Sequence, residues 1–157
     1  MIIEAPNKAT SEDFLNKKIF LAGTIDNGES INWQNEIANY CDSIGFTVFN
    51  PRRKDWNKTP SKNELDEQIS WELKHMEMSD IILMNILGDS KSPISLLELG
   101  LYAREKKLIV FCPKSFYRYD NVEVTCKLYN VPLFSFENYE DNINAIKEQI
   151  SLWQWQS

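Results

Sequence analysis

The chain has 157 residues, 43% of them hydrophobic and 25% charged, and its 17 basic against 23 acidic residues give a net charge of −6. This length and composition predict one folded domain, taken here as residues 1–157, rather than a disordered or multidomain protein. The acidic balance argues against binding to a nucleic acid polymer, because such binding depends on neutralising phosphates with lysine and arginine.

The first part of the chain predicts an arm, a strand and a helix. Residues 1–16 show little periodicity and are interpreted as an N-terminal arm. Residues 18–25, KIFLAGTI, are apolar on both faces, which is typical of a central strand in a parallel sheet. Apolar residues at helical spacing from Trp33 predict a helix over 32–44.

A second strand and a long helix follow. Residues 46–51 predict the strand, and the polar, proline-marked segment 52–60 predicts a loop. Ser61 with Glu64 three residues later has the pattern of a capping box, so we expect a helix from there to about residue 79. We expect its core face to be the apolar stripe Leu65, Ile69, Leu73 and Met76.

Strands and helices continue to alternate to the end of the chain. Strands are predicted over 80–86 and 108–113 and at VPLFSF, and a helix over 94–106 has Pro93 in its first turn. A shorter helix lies within 115–130, and the last helix places Tyr139, Ile143, Ile146, Ile150 and Trp153 on one face. This alternation predicts an α/β domain with a five-stranded parallel sheet between two layers of helices.

Parallel sheets of this kind bind ligands beyond the carboxyl ends of their strands. This rule points to four loops, over residues 23–30, 51–60, 88–93 and 113–121. Gly23 begins the first loop, and Trp33 follows it closely. Both are therefore candidate substrate contacts, although most of the five tryptophans are expected in the core.

Glu98 is the most informative single residue. It is the only charged residue in the segment PISLLELGLYA, residues 93–103. A carboxylate among apolar neighbours on a helix must be partly buried or face a cavity, and burying it unpaired is costly. The structural alternatives are a pair with an arginine or a place on an exposed stripe.

Glu72 is a second carboxylate at the edge of an apolar helical face. Two carboxylates on helices that enclose the same strand resemble the paired acids of glycosyl chemistry, in which one acid attacks the anomeric carbon and the other manages the proton of the leaving group. Glu72 also has a structural alternative, because His75 lies three residues later.

Serines and arginines on the loops are candidate ligands for a sugar or a phosphate. Ser92 and Ser95 lie at a predicted helix start, where they could cap the helix or bind a hydroxyl or phosphate group. Arg52, Arg53 and Arg118 lie on loops and suit a phosphate or carboxylate, although arginines are common on surfaces.

Nothing in the sequence predicts a membrane segment, a metal or a cofactor. No stretch approaches 18 apolar residues, and the first residues lack the pattern of a signal peptide. Three cysteines without close spacing and a single histidine cannot form a Cys/His zinc site. We expect reduced thiols and a cytoplasmic location.

Several segments together resemble the nucleoside 2-deoxyribosyltransferase-like proteins. They are KIFLAGTI, NPRRKDW, QISWE, SDIILMNI, PISLLELGLYA and FYRYDNV, and they occur in consistent order between about Lys18 and Phe136. The resemblance implies a flavodoxin-like, Rossmann-like fold with a five-stranded parallel sheet. It also implies a homo-oligomer, which the tryptophan-containing tail SLWQWQS supports.

The resemblance implies chemistry on a small molecule. Transferases of this family break the N-glycosidic bond of a 2′-deoxynucleoside and pass the deoxyribose to another base, and close relatives hydrolyse deoxynucleoside monophosphates. The nucleophilic glutamate of the family is matched by Glu98 and a second acid by Glu72. An asparagine that reaches the site of a neighbouring subunit is matched by Asn121.

The sequence departs from the transferases at three places. Phe20 stands where they have a tyrosine, and Ser92 where they have an aspartate. The pair Arg52 and Arg53 is absent from the plainest transferases, which makes a phosphorylated substrate plausible.

Three alternatives to base transfer stay open at this point. The first is hydrolysis of a 5′-monophosphate. The second is a non-catalytic nucleotide-binding sensor or interaction module on the same fold. The third, electron transfer with a flavin, is suggested by sheet topology alone, and fold does not determine function.

Overall fold

The computed structural model describes residues 1–156, so Ser157, the last residue of the predicted 1–157 domain and its aromatic tail, lies outside the described residues. Within the described part of the chain, no helix has the length and apolar character needed to cross a membrane. Cys41, Cys112 and Cys126 are buried free thiols.

The predicted α/β fold with a parallel sheet is confirmed, with six strands instead of five. The strands are β1 Ile2–Glu4, β2 Lys18–Gly23, β3 Thr47–Asn50, β4 Ile81–Asn85, β5 Leu108–Phe111 and β6 Leu133–Phe134. They form one sheet in the order β1-β3-β2-β4-β5-β6. The α-helices are α1 Trp33–Ser43, α2 Lys62–Met78, α3 Pro93–Tyr102, α4 Tyr119–Leu128 and α5 Tyr139–Gln154.

The additional strand is β1, which lies within the segment interpreted as an arm. It pairs in parallel with β3, with Ile2 opposite Val48 and Glu4 opposite Asn50. Its three residues are too few to show an alternating pattern, so only the neighbouring strand reveals it. The sheet without β1 has the strand order 2-1-3-4-5 of flavodoxin-like folds.

The contacts within the chain define two compact units. Unit 1 comprises residues 1–21 and 25–80, and unit 2 comprises residues 22–24 and those from 81 onward. The assignment of the chain to a single domain stays a prediction.

Unit 1 buries aromatic side chains around β2 and β3. Phe20 and Phe49 lie opposite each other in register and are fully buried. Helix α1 begins at Asn32, whose Oδ1 accepts a hydrogen bond from the Asn35 N–H at 3.1 Å, and it buries Trp33 and Ile37. The cap satisfies one of the free N–H groups at the helix start.

The predicted core face of α2 is wrong except at Met76. Leu65, Ile69 and Leu73 are 45%, 45% and 39% exposed, whereas the buried residues are Gln68, Trp71, His75 and Met76. Two polar groups of this face find partners in the N-terminal segment: the Trp71 indole N–H donates to Asn7 O at 2.5 Å, and His75 Nε2 accepts from the Ala9 N–H at 3.4 Å. A periodic stripe shows that a helix is amphipathic but not which surface covers each face.

A capping box has two reciprocal hydrogen bonds, and the start of α2 forms one of them. The hydroxyl of Ser61 accepts a hydrogen bond from the Glu64 N–H at 3.1 Å. The Glu64 carboxylate instead accepts from the Asn57 amide at 3.0 Å.

Unit 2 contains β4, β5 and β6 with α3, α4 and α5. Val110 pairs with Leu133, and the rings of Phe111 and Phe134 stack with centroids 5.0 Å apart. Helix α5 buries Ile143, Ile146, Ile150 and Trp153, as its periodicity predicts.

Candidate functional site

The backbone passes very close to itself where β2 ends. Gly23 has a φ of +126°, and a Cβ on it would lie 2.0 Å from the carbonyl oxygen of Asn85. The next residue, Thr24, donates its N–H to the same oxygen at 3.0 Å. Only glycine fits both this conformation and this spacing, so Gly23 brings the start of the first predicted ligand loop against the end of β4.

Three hydroxyl groups of unit 2 form a buried cluster beside this crossing. Thr24 Oγ1 lies 3.0 Å from Ser90 Oγ and 2.7 Å from Ser92 Oγ, and the two serine oxygens are 2.8 Å apart. The Leu87 N–H donates to Thr24 Oγ1 at 2.9 Å. The cluster therefore ties the loop after β2 to the loop that begins α3.

Ser92 occupies the cap position of α3, but its side chain makes no capping hydrogen bond. The expectation that its hydroxyl caps the helix is wrong, because that hydroxyl is used in the cluster. The backbone of Ser92 is left-handed, with a φ of 44°, and Pro93 begins the helix. Left-handed residues other than glycine are uncommon and are often found at functional sites.

Helix α3 buries its only carboxylate. Glu98 is 7% exposed and lies on the buried face with Ser95 and Tyr102, whereas Leu97 and Leu101 are exposed. The expectation of burial is confirmed, and a place on an exposed stripe is excluded.

Arg118 and Asn121 lie at the start of α4 and are exposed. They line a groove of about 340 Å³ in unit 2, together with Leu96, Leu99, Gly100, Tyr117, Val122 and Thr125. The guanidinium of Arg118 lies 5.5 Å from the centre of the Tyr117 ring. This cation remains accessible to an anionic group.

Arg52, in unit 1, is buried, and its guanidinium donates hydrogen bonds to acceptors of the protein itself. Nη1 donates to Ser30 Oγ, Ile31 O and Gln34 Oε1 at 3.1, 3.1 and 3.2 Å. Nη2 donates to Gly28 O and Ser30 O at 2.9 and 2.7 Å. This arrangement holds the loop before α1, and the contact of Arg52 with a phosphate stays a prediction.

Arg53, Gln68 and Glu72 form a chain of hydrogen bonds in unit 1. Arg53 Nε donates to Gln68 Oε1 at 2.6 Å, and Gln68 Nε2 donates to Glu72 Oε1 at 2.9 Å. Burial raises the pKa of Glu72, and the hydrogen bond from Gln68 and the charge of Arg53 partly oppose this rise. A carboxyl group in this setting keeps its proton to higher pH than an exposed one, as a general acid requires.

The aromatic candidates lie inside unit 1. Phe20 and Trp33 are fully buried, and the Phe20 ring is 6.2 Å from that of Trp71. As arranged, neither side chain offers surface to a ligand, so their substrate contacts stay predictions.

The candidates thus divide between the two units. Unit 1 holds Phe20, Trp33, Arg52, Arg53 and Glu72, and unit 2 holds Gly23, Ser92, Ser95, Glu98, Arg118 and Asn121. Sequence reasoning missed Gln68, Thr24 and Ser90. Gln68 could have been found from its place four residues before Glu72 on a helix, whereas isolated hydroxyls carry no such signal. Residues 1–156 contain no cluster of three or more His, Cys, Asp or Glu side chains able to hold a metal ion.

Comparisons with known proteins bear on the family and the fold. The sequence profile of the family described as nucleoside 2-deoxyribosyltransferase like matches residues 16–116. No curated protein sequence matches the chain.

Two of the solved structures that are similar to this chain illustrate the shared fold. One is a 2-deoxyribosyltransferase from Bacillus psychrosaccharolyticus, with 23% identity, a TM-score of 0.58, and coverage of 81% of this chain and 90% of that one. The other is a conserved protein from Enterococcus faecalis V583, with 13% identity, a TM-score of 0.55, and coverage of 85% and 99%.

Proposed function

Because the chain belongs to the nucleoside 2-deoxyribosyltransferase-like family, we propose that it cleaves the N-glycosidic bond of 2′-deoxynucleosides or their 5′-monophosphates. The observation that carries this proposal is the burial of Glu98. Its side chain is only 7% exposed, and it lies on a helix whose other residues are apolar or small. A carboxylate with so little hydration is a stronger nucleophile than an exposed one.

The reaction proceeds in two displacements. An oxygen of Glu98 attacks C1′ as the C1′–N bond breaks, and the bonding electrons pass to the base nitrogen, which takes a proton from the Glu72 carboxyl. Water or a second base then attacks C1′ and gives its proton to Glu72, while the ester oxygen leaves as the Glu98 carboxylate. Two inversions give retention at C1′.

The remaining candidates bind the substrate. Ser92 and Ser95 contact sugar or phosphate oxygens at the start of α3, where backbone N–H groups favour an anion. Arg53 and Arg118 supply cations for a 5′-phosphate, because both are less committed to protein groups than Arg52.

The proposal includes a homo-oligomer in which a second copy completes the site with its Asn121. Helix α3 has an apolar, solvent-exposed face formed by Ile94, Leu97 and Leu101. On α4, Val124 and Leu128 are also exposed. Exposed apolar faces of this extent are typical of subunit interfaces. The proposal also places the protein in the cytoplasm, since its cysteines are free thiols. The proposed reaction on 2′-deoxynucleosides or their monophosphates would belong to nucleotide salvage.

Replacement of Glu98 tests the proposal. We expect Glu98→Gln to lower base release from 2′-deoxynucleosides and their monophosphates by at least about 10³-fold, as losing a covalent nucleophile does elsewhere. The matched control is Glu105→Gln, which makes the same change at an exposed position just after α3. Mass spectrometry of quenched wild-type enzyme should detect a deoxyribosyl adduct on the peptide that contains Glu98.

The products separate the remaining alternatives. With a second free base present, transfer gives a new deoxynucleoside, whereas hydrolysis gives free deoxyribose or its phosphate. Unchanged base release in Glu98→Gln contradicts the proposed mechanism. Binding without any base release identifies a non-catalytic nucleotide-binding module.

A further inference from the structure

The side-chain amide of Gln68 lies at the centre of a buried hydrogen-bond chain. Gln68 is 8% exposed on α2, and its Nε2 donates both to Pro51 O at 3.1 Å and to Glu72 Oε1 at 2.9 Å. Its Oε1 accepts from Arg53 Nε at 2.6 Å. Both N–H groups and the oxygen of this amide therefore have hydrogen-bond partners.

These partners permit only one orientation of the amide. A guanidinium N–H can only donate, so it must meet the oxygen of Gln68. The carbonyl of Pro51 can only accept, so it must meet the nitrogen. Turning the amide over would place donor against donor and acceptor against acceptor, and would leave the Arg53 Nε–H and the Pro51 carbonyl without partners.

The fixed amide makes the two oxygens of Glu72 different. Oε1 accepts from Gln68, whereas Oε2 has no hydrogen-bond partner in residues 1–156. A proton on Oε1 would meet the hydrogen of the Gln68 amide, so the proton of the neutral acid is held on Oε2.

We propose that Gln68 is a positioning residue, which directs the proton of Glu72 onto Oε2 and stabilises the carboxylate that forms when this proton is given up. This inference rests on the proposed function. As the C1′–N bond breaks, the Oε2 proton passes to the base nitrogen that receives the bonding electrons, and negative charge develops on Glu72. The bond from Gln68 Nε2 then becomes a hydrogen bond to a charged acceptor, which is stronger than one to a neutral acid.

A bond that strengthens in the transition state acts on kcat rather than on KM. Replacing Gln68 by methionine keeps the volume of the side chain and removes both the donor and the acceptor. We expect Gln68→Met to lower kcat for base release from 2′-deoxyadenosine by about 10- to 100-fold with little change in KM. The matched control, Glu67→Gln, alters the neighbouring exposed residue of the same helix and should leave kcat unchanged.

A leaving group that needs no proton provides the sharpest test. A 2-deoxyriboside of 4-nitrophenol releases a stable phenolate that takes no proton, so Gln68→Met and Glu72→Gln should both release the first equivalent of phenolate at the wild-type rate, measured by rapid mixing before water resolves the intermediate. If Gln68 acts only through Glu72, adding Gln68→Met to Glu72→Gln should cause no further loss of kcat with 2′-deoxyadenosine.

The pH profile gives a further readout that a packing role would not move. Glu72 acts in its protonated form, so kcat falls as pH rises through its pKa. The Gln68 bond favours the carboxylate and lowers this pKa, so its loss should move the alkaline limb of kcat to higher pH.

An equal loss in the rate of this first phenolate release, or an additive loss in the double variant, overturns the inference in favour of a packing role. Wild-type kcat in Gln68→Met, together with an inactive Glu98→Gln, overturns it and leaves the proposed function intact. Full activity in Glu98→Gln contradicts the proposed function itself. If Gln68→Met does not fold, Gln68→Asn, whose amide cannot reach Glu72 and Pro51 together, carries the same expectations.

Discussion

At the scale of single residues, Arg52 is a charged residue whose contacts are those of a structural residue. Its guanidinium serves five acceptors in the segment Gly28–Gln34, three of which are backbone carbonyls. A lysine has a single ammonium group and cannot serve a planar array of this kind.

We therefore expect Arg52→Lys to lower the free energy of unfolding by about 1–2 kcal/mol, because partly buried carbonyls lose their donors. Urea unfolding followed by circular dichroism measures this change. Arg104→Lys, at an exposed position, is the control and should stay within about 0.5 kcal/mol of wild type. A variant with normal stability and a raised KM for monophosphates alone would instead support phosphate binding by Arg52.

Gly23 is the second residue whose identity the backbone requires. We expect Gly23→Ala to lower the free energy of unfolding by about 3 kcal/mol or more, because the new methyl group meets the Asn85 carbonyl in a left-handed conformation. Gly100→Ala is a natural contrast, since a Cβ there contacts nothing within 4 Å and the helix gains about 0.4–1 kcal/mol. Thermal unfolding should rank Gly100→Ala above wild type and Gly23→Ala well below it.

At the scale of elements, helix α2 is attached to the N-terminal segment through His75. Its Nδ1 donates to Trp71 O at 2.7 Å, and its Nε2 accepts from the Ala9 N–H at 3.4 Å. The ring also stacks on Trp71 with centroids 4.0 Å apart. The neutral ring with its proton on Nδ1 satisfies both bonds, and burial lowers the pKa of His75 below its ordinary value of 6.5.

This setting predicts a loss of stability in mild acid. A histidine with a depressed pKa binds fewer protons when folded than when unfolded, so its contribution is complete above pH 6.5 and falls as pH drops below it. We expect wild type to lose more unfolding free energy between pH 7.5 and pH 5.5 than His75→Phe. The opposite influence of Glu72, whose pKa is raised, is present in both proteins and cancels in the comparison. Parallel losses in the two proteins would contradict the prediction.

At the scale of the whole molecule, apolar side chains are exposed in organised faces. On α2 they are Leu65, Ile69 and Leu73, and on α3 they are Ile94, Leu97 and Leu101. Each set repeats at helical spacing, which distinguishes it from single apolar residues scattered over a surface.

We expect wild type to be a dimer or larger in size-exclusion chromatography with light scattering, and Leu97→Asp to be a monomer, because a charge would be buried in the subunit interface. Leu15→Asp, at an exposed leucine outside these helices, should leave the assembly unchanged. A monomeric wild type at micromolar concentration would contradict the proposed assembly and the role of a partner's Asn121.

Local pattern in the sequence is sufficient for the order of the elements and for one buried carboxylate. The runs that became β2 to β6 and α1 to α5 were recognised because hydrophobic periodicity is a property of neighbouring residues. Glu98 was identified for the same reason, since a lone carboxylate in an apolar helix is conspicuous and its burial follows from its neighbours.

What only the tertiary structure decided was the partner of each face and of each polar atom. The strand β1, the outward direction of the α2 stripe, the hydroxyl cluster of Ser92 and the loop contacts of Arg52 all depend on residues about 20 to 70 positions away. Amphipathicity shows that a helix has two faces, and hydrogen-bonding capacity shows that an atom needs a partner. Which surface or atom meets that need depends on packing between distant segments, which a local pattern does not contain.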